Sequence, residues 1–398
     1  MAVNSMTFKQ SSTLINALLQ QMTGQTAIAP VDESEFVAVG TTLLQAGYDQ
    51  LNKAVSQVLT RSIYSSRAYS PIYPSIERDS ARWGGIIRKV TVLDLDFIDD
   101  EAFNLVDGNS GADPFIINKQ KAVQFNFYGG NVKELVVTTT EDQLRQAFSS
   151  SADFGSFMAA QAQNLVNQLN QKIEVESRAT VNNMLAAAIS AGGDRVIHLL
   201  TEYKAATGNT TITASNYLSA AEFEPFAKWF YGRINTLKRF MAERTNKYIQ
   251  NITSYNGSAL SKPIMRHTPE QYLNVFMLSE FMDQVDSSAL SGIYNENLLQ
   301  LGRFERVNYW QALQDPSSIA ITPNILGSDG NCAAADDSVE ESGIIGCLFD
   351  DEALGISIID EGVRSIENPR GRYFNNFYNW TCRWYNDQTE KFVALVLD

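Results

Sequence analysis

The sequence predicts an α+β protein, in which a long helix connects a β-rich segment to further strands near the end of the chain. Residues 86–97 and 122–140 alternate apolar and polar side chains over most of their length, which is typical of strands. Residues 151–191 repeat apolar side chains with the helical period. Residues 392–398 form a nearly all-apolar run, which indicates a strand covered on both faces.

Composition excludes several classes of protein. With 398 residues the chain is long enough for two or three substructures around a sizeable core. The formal net charge of -14 argues against a protein that grips nucleic acid through its phosphates. The three cysteines are far apart, which argues against a disulfide framework and against a thiolate zinc site. Neither a signal peptide nor an apolar run of membrane-spanning length is present, so we expect a protein made in a reducing cytosol and no membrane partner.

The N-terminal region predicts helices. Residues 7–22 form an amphipathic pattern that ends at Gly24. A second helical stretch follows, with Ser34 as the expected N-cap, and Gly40 and Gly47 are expected to break it. The prolines of "YSPIYPS" end this helical region.

The β-rich segment predicts a long two-stranded excursion whose tip contains the turn-forming residues 107–113. An isolated two-stranded ribbon is only marginally stable in water, so this one needs another surface to cover its apolar side chains. We therefore expect contacts with a neighbouring subunit from the apolar residues near the tip, namely Phe97, Phe103, Leu105, Phe115 and Ile116.

The central helix and its neighbours have recognisable boundaries. Thr140 and Gln143 have capping-box spacing before a short helix, and Ser219 and Glu222 have the same spacing before a helix at 223. Residues 151 to about 191 predict one continuous helix that ends at two glycines, with Leu165 and Leu169 in the core. Residues 272–278 fit either a helix or a buried strand, and we favour a strand followed by a helix capped by Ser279. Residues 315–343 are expected to be a loop.

The densest aromatic run lies close to the end of the chain. In "YNWTCRWY", alternation places Trp380 and Trp384 on one face of a strand, both mostly buried. Residues 386–391 should form a turn, and the strand beginning at Phe392 should return into a core sheet that the aromatic residues stabilise. A nucleic-acid stacking platform is the alternative, because arginines interleave with the aromatic rings. The acidic surroundings favour core packing.

No catalytic, cofactor-binding or metal-binding motif is present in the sequence. His198 and His267 are isolated, and the acidic clusters lack metal-binding or glycosidase spacing, so we interpret them as solvated turns or interface charges. An enzyme using His267 and Glu270 stays open as an alternative.

The order of these parts resembles that of the major capsid proteins of tailed bacteriophages, in the Hong Kong 97-type fold. The resemblance depends on "KAVQFNFYGGNVKELVVTTTEDQLRQAF" before the long helix, on "GIIGCLFDDEALGISI", and on "NPRGRYFNNFYNWTCRWYNDQTEKFVALVLD". It is strongest to the capsid proteins of small short-tailed phages. An encapsulin-like compartment on the same fold is the alternative.

The resemblance implies a division of the chain into an N-terminal arm (1–82), an extended loop (83–140), a peripheral domain with the spine helix (141–200), an axial domain (201–340) and C-terminal peripheral strands (341–398). It further implies a structural protein in the virion, made in the host cytoplasm, that assembles with itself as pentamers and hexamers of an icosahedral shell. The other implied partners are a portal protein, packaged double-stranded DNA bound without sequence specificity, and a separate scaffolding protein, since the sequence starts at Met1.

Some relatives cross-link a loop lysine to an asparagine. Lys119, Lys121, Asn375 and Asn376 are present here, but no spacing singles them out, so we do not carry that chemistry over to this chain.

Overall fold

The computed structural model describes residues 13, 15–16, 32–45, 73–77, 87–97, 117, 119–128, 130–148, 150–289 and 303–398. It contains both helices and sheets, in agreement with the predicted α+β class. The helices of the described residues are α1 (Glu33–Gln45), α2 (Glu141–Ala147), α3 (Ser151–Ala191), α4 (Leu199–Thr207), α5 (Phe223–Ala242) and α6 (Ser279–Ala289). The strands are β1 (Ile87–Val92), β2 (Ala122–Phe127), β3 (Asn131–Thr140), β4 (Val196–His198), β5 (Ser254–Tyr255), β6 (Ser258–Ala259), β7 (Leu273–Leu278), β8 (Arg303–Val307), β9 (Ile319–Ile321), β10 (Asn324–Leu326), β11 (Cys332–Ala334), β12 (Val339–Glu341), β13 (Ile344–Asp350), β14 (Leu354–Asn368), β15 (Tyr373–Asn386) and β16 (Phe392–Val396).

A five-stranded sheet forms the centre of the main core, in the order β4-β16-β13-β7-β8. Every residue of β7, β13 and β16 is buried, because helices and loops cover both faces of the sheet. The main hydrophobic cluster joins these strands to the apolar sides of α4, α5 and α6 and to the C-terminal half of α3. The strand predicted over 392–398 is therefore confirmed, with Phe392 fully buried.

The spine helix α3 runs for 41 residues without interruption, as its apolar period predicts. At its start the Ser150 hydroxyl accepts a hydrogen bond from the Asp153 N–H at 3.1 Å, which satisfies one unpaired donor of the first turn. At its end Gly192 adopts φ +60, and its N–H donates to the carbonyls of Ala188 and Ile189. A side chain would strain that backbone conformation, so glycine stops the helix at this point.

A separate three-stranded antiparallel sheet has the order β14-β15-β3. Its inner face packs against the N-terminal half of α3 through a second cluster of Leu165, Tyr378 and Trp380. The predicted alternation of the aromatic run is confirmed, since every second residue from Phe374 to Cys382 is buried. However, this strand and β16 belong to different sheets, so the aromatic rings stabilise the contact between sheet and spine helix.

The predicted excursion is divided between two structures. Strands β1 and β2 pair antiparallel, with Ile87 opposite Phe127 and Val92 opposite Ala122. Strand β3, which we expected to continue the excursion, instead pairs with β15 from Tyr373–Thr140 to Cys382–Asn131. The expectation fails here because period-two alternation shows that a segment is a strand and carries no information about its partner.

Several local predictions are wrong in the N-terminal part. Helix α1 starts at Glu33, and its cap is Asp32, whose Oδ1 accepts from the Glu35 N–H at 2.8 Å. Ser34 is inside the helix, and so is Gly40, which does not break it. A Cβ at Gly40 would lie 2.9 Å from the Phe148 ring, so this glycine permits a close approach. Of the helix predicted over 7–22, the described residues 13, 15 and 16 are helical, whereas Gly47 lies outside the described residues.

Of the two predicted capping boxes, only the first forms. The Thr140 N–H donates to Gln143 Oε1 at 3.1 Å, and the Gln143 N–H donates back to the Thr140 hydroxyl. Helix α5 has no side-chain cap, because the Glu222 carboxylate instead accepts from Asn209 and Thr211.

The region between α5 and β13 contains one confirmed prediction and two corrections. Residues 273–289 form a strand and then a helix, as favoured. The Ser279 hydroxyl does not cap that helix and donates to Asn308. The segment 315–343 is not a plain loop, since β9 pairs with β12 and β10 pairs with β11. Strands of three residues are too short to produce a clear alternation in sequence.

Candidate assembly surface

The β1-β2 ribbon has one face turned towards the body of its own subunit and one face turned to solvent. Thr91 and Leu93 are buried on the inner side, whereas Val90 and Val92 are 59% and 51% exposed on the outer side. Alternation along a strand explains this division, because successive side chains point to opposite faces.

The inner face of the ribbon is anchored by apolar contacts. These join the ribbon to the segment between α5 and β7 and to β10. The cluster consists of Leu93, Val123, Phe125, Ile249, Ile252, Ile264 and Leu326. The Tyr255 hydroxyl also donates to the Gln124 carbonyl at 2.5 Å, and its ring packs edge-on against Phe125. The base of the ribbon therefore buries its own inner face within the subunit, which the sequence-based expectation of an unsupported ribbon did not include.

A compact group of charges lies beside this apolar cluster. The Lys89 ammonium of β1 lies 2.5 Å from a Glu390 carboxylate oxygen and 3.0 Å from oxygens of Asp387 and Glu352. The Arg266 guanidinium lies 2.9 Å from the same Glu390 oxygen. Asp387 and Glu390 are almost completely buried, and Lys89 is largely covered.

Burial and charge act in opposite directions on these groups. Burial raises the pKa of Glu390 to about 7, against the effects of Lys89 and Arg266, which lower it. Burial alone would lower the pKa of Lys89, but the Asp387 and Glu390 carboxylates together raise it above its ordinary value. The cluster therefore holds Lys89 firmly in its charged form beside two buried carboxyl groups.

Beyond the paired strands, two further apolar side chains are exposed. Phe97 is fully exposed and Ile117, which precedes β2, is 77% exposed. With Val90 and Val92 of β1 they make up a set of exposed apolar side chains, which we call the outer ribbon face. Large exposed apolar side chains on one segment make it a candidate site of interaction with another molecule.

The predicted assembly residues are only partly within the described structure. Phe97 is exposed, as an intersubunit contact residue should be in a single subunit. Phe103, Leu105, Phe115 and Ile116 lie outside the described residues. Their role in assembly stays a prediction.

The predicted core residues are mostly buried. Leu165, Trp380 and Phe392 are 5%, 9% and 0% exposed, and Leu169 is partly buried against the same cluster as Leu165. Trp384 is also mostly covered, as predicted, although it is less buried than Trp380. It borders a cleft of about 440 Å³ between the spine helix and the ribbon, a gap that alternation along one strand could not predict.

No catalytic arrangement occurs around the candidate enzyme residues. The Glu270 carboxylate pairs with Lys238 at 2.6 Å, and His267 is exposed. His198 Nδ1 lies 2.6 Å from an Asp398 oxygen. Among the described residues no group of three or more His, Cys, Asp or Glu side chains could hold a metal ion.

The charged cluster at the base of the ribbon was not predicted from the sequence. We interpreted the acidic residues 350–352 as a solvated turn, but Asp350 is buried and accepts a hydrogen bond from Thr268. Residues 387–391 look like a polar turn in sequence, yet all five are buried. The only sequence signal was their mixed charge, which is equally typical of an exposed turn.

The fold is that of tailed-phage capsid proteins. The structure matches a chain of the capsid of Staphylococcus phage Andhra with a TM-score of 0.51 at 11% identity, covering 81% of this chain and 83% of that one. It also matches a chain from a structure of the head fiber and inner core protein gp22 of native bacteriophage P68, with a TM-score of 0.52 at 10% identity and coverages of 81% and 83%. At these identities the likeness establishes the fold.

The family follows from the sequence itself. Residues 14–396 match the model of the Phi29-like phage major capsid protein family, so the chain belongs to that family and is a shell-forming capsid protein. Comparison with curated protein sequences finds no match. Among the described residues, none of the helices is both long enough and apolar enough to cross a lipid bilayer.

Proposed function

We propose that copies of this chain form pentamers and hexamers of an icosahedral shell, and that the extended loop of each copy covers a neighbouring subunit. The outer ribbon face carries this proposal. The inner side of the ribbon is already buried by the subunit's own body, whereas Phe97 and Ile117 are exposed and available to a second molecule. In a self-assembling shell the nearest such molecule is a second copy.

The wider role concerns the contents and partners of the shell. We propose that the shell encloses double-stranded DNA without binding its sequence, that a separate scaffolding protein guides assembly, and that a portal occupies one vertex. A net charge of -14 supports enclosure, because a strongly basic wall would hold DNA in place through its phosphates. The protein would be made in the host cytoplasm and end in the virion, without a catalytic role of its own.

The division of the chain into domains is a further part of the proposal. The arm would comprise 1–82, the extended loop 83–140, the peripheral domain 141–200 with 341–398, and the axial domain 201–340. The pairing of β3 with β15 favours a peripheral domain that also includes 131–140, so that the extended loop ends near 128.

The test replaces the two exposed side chains of the outer ribbon face. The double variant Phe97→Ser with Ile117→Ser should fold as a soluble subunit, because neither side chain is buried within it. Covering a large apolar side chain contributes about 1.5–3 kcal/mol, so the yield of shells should fall at least about tenfold. Negative-stain microscopy and sedimentation measure that yield.

The matched control is Leu313→Ser, which removes an exposed apolar side chain of the subunit body. We expect this control to assemble like the unmodified protein. Normal assembly of the ribbon variant would contradict the proposal, and so would an equal loss of shells in both variants.

A further inference from the structure

We infer that the charged cluster around Lys89 is a latch that fixes the direction in which the ribbon leaves the subunit. The latch consists of Lys89 on the ribbon and of Asp387, Glu390 and Arg266 on the body. Its consequence for assembly depends on the proposed function, because direction matters only if the ribbon reaches a neighbouring copy.

The apolar cluster under the ribbon provides attraction without defining direction. Leu93, Val123 and Phe125 pack against the body, and such burial is roughly proportional to the area covered and is not directional. A two-stranded ribbon held only in this way could rotate or slide on its apolar contact. Because displacement grows with distance from the point of rotation, a small rotation at the base would move the far end of the ribbon by a larger distance.

Ion pairs supply the missing direction, and the one between Lys89 and Glu390 is also a hydrogen bond. Lys89 Nζ contacts three carboxylates at 2.5–3.0 Å, two of which are almost completely buried. At the next position on the same face of β1, the Arg266 guanidinium donates to the Thr91 hydroxyl at 2.7 Å while it also pairs with Glu390. Any shift of the ribbon would leave the buried Asp387 carboxylate without its cation and Glu390 with Arg266 alone, which is costly in a protein interior.

The body side of the latch is itself rigid. Residues 387–391 join β15 to β16, and the Lys391 ammonium is fixed by the carbonyls of Met241 and Glu243 at the end of α5, at 2.9 Å and 2.6 Å. The Thr389 hydroxyl and N–H both donate to Asp387 Oδ1. The turn therefore connects β15 of the three-stranded sheet, β16 of the five-stranded sheet and the segment after α5. Lys89 connects the ribbon to this turn.

The direct test measures the ribbon in the full-length unassembled protein. Lys89→Met leaves buried Asp387 without a cation and would destabilise the fold, so the informative variant is Lys89→Met with Asp387→Asn, in which Glu390 keeps its pair with Arg266. That double variant removes one positive and one negative charge, and we expect it to unfold at nearly the same urea concentration as the unmodified protein. Hydrogen exchange of the β1 and β2 amides should nevertheless become at least about tenfold faster, because the ribbon base opens more often.

The matched control is Arg244→Met, which breaks the exposed Arg244–Asp94 pair between the same body and the same ribbon. Exposed pairs contribute little, so the exchange of β1 and β2 should not change. Unchanged exchange in the Lys89→Met, Asp387→Asn variant would overturn the latch, and the assembly role of the outer ribbon face would still be decided by its own variants.

Assembly of the double variant separates the two ideas. We expect particles of mixed diameter and open sheets, because ribbons of variable direction meet their neighbours at variable angles. Faster exchange together with uniform closed shells would show that the latch stabilises the ribbon base within the subunit. The same result would overturn the inference that ribbon direction affects assembly.

Discussion

The two tryptophans of β15 should differ in their contribution to stability, although they are four residues apart and point to the same side of the strand. Trp380 is 9% exposed and packs with Leu165 and Tyr378 between the three-stranded sheet and the spine helix. Trp384 is partly exposed beside the cleft under the ribbon. Alanine replaces the same side chain in both cases, so the comparison isolates burial.

The magnitude follows from the buried area. A large aromatic side chain buries roughly 150–250 Å², and at about 25 cal/mol per Å² this corresponds to about 4–6 kcal/mol for complete burial. Alanine keeps the β-carbon, and the partly buried neighbours Leu169 and Val363 can relax into the space. We therefore expect Trp380→Ala to lower the free energy of unfolding by about 3–4 kcal/mol and Trp384→Ala by about 1–2 kcal/mol.

The assay is equilibrium urea unfolding of the unassembled subunit, followed by circular dichroism. The transition midpoint should fall for both variants, and further for Trp380→Ala. Equal shifts, or a larger shift for Trp384→Ala, would refute the burial argument and would show that the cleft beside Trp384 is closed in solution.

Four further predictions concern the core and the charged latch. Leu169→Pro should abolish soluble subunits, because a proline inside the spine helix costs about 3 kcal/mol or more, and normal soluble yield would contradict a continuous helix. Gly346→Ala should also give insoluble protein, because its Cβ would lie 2.5 Å from a backbone carbonyl oxygen of β7. Gly362→Ala is the control and should fold normally, because open space surrounds Gly362; solubility after expression measures both variants. Deletion of 392–398 should leave the subunit insoluble, because it removes a central strand, and a soluble, assembling product would show that the strand is dispensable. Burial raises the pKa of Glu390 to about 7, so the folded state holds this proton more tightly than the unfolded state does. The resulting stabilisation is complete below the ordinary pKa of the group and is lost as the pH rises to about 7. Glu390→Gln should therefore flatten the fall in unfolding free energy between about pH 4.5 and 7, and identical pH profiles of variant and unmodified protein would contradict the raised pKa.

Sequence patterns predicted correctly those helices and strands that depend on interactions between residues close together in the chain. The spine helix has an apolar period and two terminal glycines, and its limits match the structure. The burial of Phe392 followed from an apolar run that only a covered strand tolerates. Helix periods and capping residues depend on neighbours a few positions away, so the sequence contains the necessary information.

Pairing and burial of polar residues depend on distant parts of the chain, and they were not predictable. Nothing in the alternation of β3 distinguishes β15 from β1 as its partner. Likewise, Glu390 is a charged residue among polar sequence neighbours, which favours an exposed position. Its burial requires Lys89, about 300 positions away, and Arg266. Of the assembly residues predicted from the sequence, Phe97 is the one that the structure describes, and the role of all five in assembly stays a prediction. The charged cluster under the ribbon could not be predicted, because it brings together residues that are far apart in the chain.

The position of β16 also affects the order of events during synthesis. This strand is inserted between β4 and β13, and its partner β4 lies about 200 residues earlier in the chain. On a translating ribosome the central sheet therefore has an empty place until residue 396 has emerged, and β4 waits beside that gap while about the second half of these residues is made. Chains that terminate before β16 cannot complete the sheet, so we expect them to be excluded from a growing particle.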